Sequence, residues 1–236
     1  MKLKKINKEL DSFAYNVSHN LKAPLKSVLG LINLTKLENL RDVDQLVKMI
    51  DLIKESIDKL DFTLTNIINH SRNSRTKPSS ELIDIQTLIE KCYDDLKFIN
   101  GADSIKKIVN VSQAAPFYSD KYRLGIIINN LLSNSLNYID HKKNEPYIKI
   151  TVDISESLAK LTIEDNGIGI QEDQQSIVFD MFSRGTEISS GSGLGLYIVK
   201  EIITRLEGTI SLNSKEGQGT SIQLIIPNMK KDNEDK

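Results

Sequence analysis

Apolar side chains recur every three or four residues along two stretches within the first 70 residues, a spacing that pairs helices along a seam. The first series is Leu3, Ile6, Leu10, Phe13, Val17 and Leu21, and the second is Leu46, Ile50, Ile53, Ile57, Leu60, Leu64 and Ile67. Alternating steps of three and four average about 3.5 residues, the repeat of a coiled coil or bundle. Polar residues fill the remaining faces. The intervening segment LENLRDVDQ is short enough to reverse the chain. A helical hairpin is therefore predicted over residues 2–73. A lone hairpin covers two apolar stripes poorly, whereas two copies packed as a four-helix bundle cover both. A homodimer is predicted; the competing arrangement packs the hairpin on a second domain of its own chain.

The segment SRNSRTKPSS, residues 71–80, is polar, holds Pro78 and lacks apolar periodicity, so it reads as a break. Beyond it the pattern is mixed. ELIDI suggests a short strand, QTLIEKCYDDLKFI a helix and KKIVNVS another strand. DKYRLGIIINNLLSNSLNYI reads as a helix capped by Asp120. PYIKITVDIS and LAKLTIED alternate like paired strands. GLGLYIVKEIITRLE is helical, and GTISLNS with GTSIQLIIP forms a closing hairpin. The predicted organisation is an α-helical hairpin (1–73), a linker (74–80), an α/β two-layer sandwich (81–228) and a polar tail (229–236).

Composition narrows the classes. Of 236 residues, 39% are hydrophobic, enough for a packed core. No apolar run approaches the ~20 residues that cross a bilayer. The start, MKLKKINKEL, is charged and amphipathic rather than a signal sequence. A cytoplasmic chain without membrane contact of its own is expected, while a longer parent with an upstream sensor or membrane region stays open. The formal net charge of -1 supplies no basic surplus for nucleic acid. A single cysteine, Cys92, excludes an internal disulfide framework and a cysteine zinc site, and reads as a small buried helix residue.

Three motifs in the second half carry chemistry. TIEDNGIGI ends a strand on Asp165, followed by Gly167 and Gly169. Glycine lets the backbone approach a ligand closely, and the carboxylate can accept from an exocyclic amine. Taken alone, such a turn also follows many ordinary strands. SSGSGLGLYIVKEI places Gly191, Gly193, Leu194 and Gly195 at a helix start, where free backbone N–H groups suit phosphate oxygens. NNLLSNSLNY puts Asn130, Asn134 and Asn137 at helical spacing, with Tyr138 following. Asparagine is a mediocre helix former, but its carbonyl oxygen is a hard ligand for Mg²⁺. A solvated polar face is the plainer alternative.

In this order the motifs resemble the ATP-binding fold shared by histidine kinases, type II topoisomerases, heat-shock ATPase chaperones and mismatch-repair ATPases, over nearly all of residues 80–227. The resemblance implies ATP and Mg²⁺ as cofactors. It implies that Asn134 binds the metal, with Asn130 beside the phosphates, and that Asp165 reads the adenine amine. Gly167 and Gly169 shape that pocket, Tyr138 lines the base, and Gly193 and Gly195 lie near the phosphates. IVFDMFSRG, with Phe179 and Phe182, is similar to the kinases' phenylalanine box within a mobile lid, with Arg184 as a candidate for phosphate charge compensation.

The ATP fold alone leaves the reaction open. FAYNVSHNLKAPL resembles the phospho-acceptor box of histidine kinases, with His19 as acceptor and Pro24 five residues on. His70 and His141 lack that context and read as surface residues. The resemblance implies autophosphorylation of His19 and transfer to an aspartate of a response regulator receiver domain. Pro24 removes a helical hydrogen bond and should bend the helix just past the site. The chain departs from the family at three places. Asn20 replaces the usual carboxylate, which predicts slower autophosphorylation. Ala23 cannot orient a water, which predicts weak phosphatase activity. Asn137 stands where a basic residue is common. A nucleotide-responsive scaffold without kinase activity, and a chaperone- or topoisomerase-type ATPase, are the competing readings. The second would need a catalytic acid on the asparagine helix.

Overall fold

The structure, a computed structural model, describes residues 2–37, 43–97, 105–140, 142–183 and 193–229. These divide into two compact units, one reaching Ile68 and the other starting at Asn69.

The first unit holds α1 (Lys2–Leu37) and most of α2 (Val43–Arg75). The predicted reversal at residues 38–42 lies outside the described residues. Helix α1 continues through Pro24, although proline supplies no N–H to the ladder there. Both helices carry exposed large apolar side chains: Leu25, Leu29 and Ile32 on α1, and Leu46, Ile50, Ile57 and Leu64 on α2. Helix α2 extends to Arg75, beyond the predicted end at residue 73, and its last two turns belong to the second unit.

The reason is a buried cation. Arg123 is 4% exposed and bonds to Asp120 and to the end of α2. Its guanidinium donates to Asn73 Oδ1 at 2.8 Å, to the Thr76 carbonyl at 2.8 Å and to Thr76 Oγ1 at 3.0 Å. Carbonyls at a helix end lack intrahelical partners, and a fork of donors satisfies several at once. Arg205 adds a bond to the same Thr76 carbonyl at 3.1 Å. The Ser79 N–H donates to Asp120 at 3.0 Å. The polar stretch predicted as a linker is thus pinned to the second unit.

That unit is built on a five-stranded sheet in the order β2-β4-β5-β7-β6. The strands are β2 (Lys106–Gln113), β4 (Tyr147–Ile154), β5 (Leu158–Asp165), β6 (Thr209–Lys215) and β7 (Gly219–Pro227). A short pair, β1 (Glu81–Leu82) with β3 (Tyr118–Ser119), stands apart from it. β2 runs parallel to β4, and the other neighbours are antiparallel. Ile148, Ile150 and Val152 of β4 alternate inward with Ala159, Leu161 and Ile163 of β5 and Leu224 and Ile226 of β7. The intervening residues, such as Lys160, Thr162 and Glu164, carry polar groups to the other face, the period-two signature of a half-buried sheet.

Three helices complete the core, α3 (Ile85–Leu96), α4 (Lys121–Asn137) and α6 (Gly195–Arg205), with the single-turn α5 (Glu172–Gln175) preceding α6 in the chain. Helix α4 is central and packs against both α3 and α6. It buries Leu124, Ile127, Ile128, Leu131 and Leu132, each worth roughly 1.5–3 kcal/mol of transfer free energy. Asp120 caps α4, accepting from the Arg123 N–H at 2.9 Å. Cys92 of α3 is buried as expected. Burial raises its thiol, to about 12. Among the described residues no helix is long and apolar enough to cross a membrane.

Candidate functional site

Helix α4 and the ends of β5 and β7 form one half of the site. Asp165 closes β5 and is 9% exposed. Its Oδ1 accepts from the Gly167 N–H at 2.9 Å and the Thr220 N–H at 3.3 Å, and its Oδ2 accepts from the Ser135 hydroxyl at 2.9 Å. Burial pushes the Asp165 carboxyl above the ordinary carboxylate range, against those three hydrogen bonds and the Lys143 charge.

The turn after β5 is fixed by close backbone approach. A β-carbon at Gly167 would sit 2.3 Å from the Tyr138 carbonyl oxygen, which also accepts from the Ile168 N–H at 3.0 Å. The Lys143 ammonium donates to the Asn166 carbonyl at 2.6 Å and reaches the Gly167 and Gln218 carbonyls at 3.3 Å each. The Asn166 side chain accepts from the Tyr147 N–H at 2.8 Å and donates to the Glu145 carbonyl at 2.9 Å. Gly169 makes the next turn, against the Lys215 carbonyl. Asp165, Gly167 and Tyr138 are thereby brought together. Ser135, Thr220 and Lys143, which the motifs did not flag, join them.

The other half lies one helical turn earlier on α4. A β-carbon at Gly195 would meet Asn130 Oδ1 at 3.0 Å and Asn134 Oδ1 at 3.7 Å, so both amide oxygens converge on the first residue of α6. The Asn130 amide donates to the Ile126 carbonyl at 2.8 Å. Its Oδ1 is buried with no partner among the described residues. Buried oxygens are seldom left unpaired, and this one is aimed at a helix N-terminus suited to anions. Leu194, 1% exposed, anchors the turn from beneath. Phe182 donates its N–H to the Gly193 carbonyl at 2.9 Å, and both residues hold positive φ, 65° and 69°. That pairing ties the predicted phenylalanine box to the glycine loop, with Phe179 half-buried nearby in sequence.

Asn137 does not share the environment of the other two asparagines. It is exposed and donates to Ser133 Oγ at 3.3 Å, one turn back on its own helix. Arg184 and Gly191 lie outside the described residues, as does His141. His19 is exposed on α1 and Asn20 is half-buried beside it. His70 departs from the surface role predicted for it: it is half-buried, with its ring 5.7 Å from that of Tyr197 and tilted 48°.

Residues 119–230 match the family described as histidine kinase-, DNA gyrase B-, and HSP90-like ATPases. The chain is 30% identical over 224 residues to the methanogenesis regulatory histidine kinase FilI of Methanothrix harundinacea, covering 94% of this chain and 25% of that protein. The chain thus spans about a quarter of that relative's length. In fold it is similar to the histidine kinase AdeS of Acinetobacter baumannii, with a TM-score of 0.70, 20% identity and coverage of 90% of this chain and 98% of the other. A solved complex of the histidine kinase ThkA with the response regulator TrrA also has a TM-score of 0.70, at 19% identity, covering 96% of this chain and 64% of that one. The ordered motifs, the sheet that carries them and these likenesses agree: residues 119–230 carry the ATPase domain described for histidine kinases, DNA gyrase B and HSP90, and nearly all of the chain is similar to the catalytic cores of sensor histidine kinases.

Proposed function

We propose that this core uses ATP to phosphorylate its own His19 and passes the phosphoryl group to an aspartate of a response regulator receiver domain. The observation that carries the reading is the convergence of a buried carboxylate, Asp165, and two amide oxygens, Asn130 and Asn134, on opposite ends of one helix-walled site. The first suits a base amine and the second suits phosphates with a cation.

In this reading Asp165 accepts from the adenine amine, and Tyr138, Gly167 and Gly169 line the base. Gly193, Leu194 and Gly195 open α6 toward the phosphates, with Phe182 joined to that loop. The unpaired Asn130 oxygen and its neighbour on Asn134 fit a magnesium ion, held principally by Asn134. Magnesium when bound offsets charge on the transferring phosphates. Arg184, Gly191 and Asn137 belong to the same proposal, resting on sequence alone.

A neutral His19 imidazole nitrogen attacks the γ-phosphorus; the N–P bond forms as the bond to the ADP oxygen breaks. Asn20 can accept a hydrogen bond from the other ring nitrogen but carries no charge to stabilise the imidazolium. The proton on that nitrogen passes to solvent. Exposure of His19 suits both attack and hand-over to a receiver. The ThkA–TrrA complex supports a receiver as partner. The exposed apolar stripes of α1 and α2 support a dimeric four-helix bundle, with residues 1–73 as the dimerisation and acceptor part, 74–80 as linker, 81–228 as the ATP-binding part and 229–236 as a tail. The assembly acts in the cytoplasm, alone or as part of a longer sensor.

Incubation with ATP and magnesium followed by a chase with a receiver domain tests this. The expected result is acid-labile, base-stable phosphate on the chain that drains to the receiver. A nucleotide-sensing scaffold is the second reading, favoured by Asn20 and by the uncharged Asn137; it binds ATP and acquires no phosphate.

A further inference from the structure

We infer that Ser135 is a positioning and specificity residue of the nucleotide pocket: its hydroxyl holds the Asp165 carboxylate as a pure acceptor, turned toward an exocyclic amine on the base. The inference rests on the reading of this site as an adenine nucleotide pocket.

Ser135 and Asp165 are 30 residues apart and both buried, at 5% and 9% exposure. Oδ1 is committed to two backbone N–H groups, of Gly167 and Thr220. Those donors come from the turn after β5 and from β7, and they hold that oxygen to the wall. Oδ2 remains to meet a ligand, and the one donor placed on it among the described residues is the Ser135 hydroxyl at 2.9 Å. A carboxylate with three donors around it cannot rotate without losing one of them. A second consequence is protonic. Were Asp165 protonated, Oδ2 would carry the proton and become a donor. It would then repel an amine and welcome a 6-oxo group. Each hydrogen bond to the anion opposes that protonation, and burial promotes it.

Among the described residues, few charged groups face the carboxylate. Lys143, from the turn before β4, supports the anion. Tyr147 of β4 feels the Asp165 charge, but its hydroxyl is bonded to Glu164 at 2.7 Å. Neither donates a hydrogen bond to Oδ2. Ser135 is therefore the side chain that a substitution can remove without disturbing the backbone of the pocket.

The test titrates the full chain and Ser135→Ala with ATP and with inosine triphosphate, whose 6-oxo group accepts where adenine donates, at pH 6 and pH 8. Thermal unfolding confirms that both chains are folded. The native chain is expected to prefer ATP at both pH values. Ser135→Ala should lose about tenfold in ATP affinity at pH 6, the scale of one hydrogen bond to a charged group, and recover part of it at pH 8. Its preference over inosine triphosphate should narrow at pH 6. Ser135→Ala matching the native chain at both pH values, or weakened equally at both, overturns the inference and leaves the pocket reading intact. A folded native chain that binds no ATP overturns the pocket reading, and this inference with it.

Discussion

Arg123 Nε donates to Asn73 Oδ1 at 2.8 Å, joining the first turn of α4 to the last turn of α2 across 50 residues of sequence. The same guanidinium pairs with Asp120, whose side chain is 3% exposed, and donates to the carbonyls of Asn73 in the last turn of α2 and of Thr76 just beyond it. Burial opposes charge on Asp120, but its hydrogen bonds to Arg123 and Ser79 and the guanidinium charge outweigh it, so the carboxyl lies below its ordinary range. Removing one partner strands the other as a buried charge. Arg123→Ala should destabilise the second unit by about 3–5 kcal/mol, read by denaturant unfolding, and lysine should recover little because it cannot form the fork. A loss under about 1 kcal/mol, the size of a surface pair, contradicts a structural role for this cluster.

The same cluster sets an acid response. A carboxyl lowered in the folded state contributes stability above its unfolded pKa and loses it as pH falls through the folded value. Arg123→Ala keeps the backbone N–H donors of residues 123 and 79 but removes the side-chain hydrogen bond and the guanidinium charge, and with them part of that depression. Plots of stability against pH should fall less steeply on the acid side for the variant than for the native chain.

Asp165 runs the other way. Its carboxyl is raised, so folding favours the protonated form, and that contribution is full below the unfolded pKa and lost as pH rises through the folded value. Asp165→Asn keeps the shape, leaves Oδ1 to accept from Gly167 and Thr220, and can donate to Ser135. It should abolish measurable ATP binding while leaving the melting temperature at neutral pH unchanged or higher. Retained ATP affinity in a folded Asp165→Asn chain would exclude this carboxylate as the reader of the base.

Two glycines separate pocket from scaffold. Gly195→Ala places a methyl 3.0 Å from Asn130 Oδ1 but gains helix propensity of up to about 1 kcal/mol. ATP affinity should fall several-fold with no loss of stability. Gly167→Ala drives a β-carbon into the Tyr138 carbonyl and should lower both together. Equal stability losses in the two variants would argue against the division.

At the proposed acceptor, Asn20→Asp places a charge beside His19 and should raise the initial rate of autophosphorylation. An unchanged or lower rate counts against Asn20 as the cause of slow chemistry. Ala23 offers only a methyl group, and weak dephosphorylation of a phospho-receiver is expected; robust, magnesium-dependent loss of its phosphate on adding this chain is the contrary result.

Much of this was legible in the residues. The alternation in PYIKITVDIS and LAKLTIED became β4 and β5, and Asp120 caps α4 as its position suggested. Asn130, Asn134, Asp165 and Gly195 were readable because each sits in a short string with an unusual composition. Ser135, Thr220 and Lys143 were not, since serine, threonine and lysine are ordinary there and their partner is remote in sequence. Asp165 meets Ser135 at a separation of 30 residues and Thr220 at 55. Nor did a polar, proline-bearing stretch reveal that Arg123 and Arg205 bind its backbone. Composition predicts an unpacked connector; only tertiary contacts disclose the cations waiting for its carbonyls. The parallel pairing of β2 with β4 was similarly hidden, because period-two patterns specify a face and not a direction.

Under the proposed function one imidazole, that of His19, receives the γ-phosphoryl group of ATP. Native chain, His19→Gln and His70→Gln are each incubated with γ-labelled ATP and magnesium, and protein-bound label is counted after base treatment. Label is expected on the native chain and on His70→Gln, and none on His19→Gln. Label that persists in His19→Gln, or a folded, ATP-binding native chain that never takes label, contradicts it.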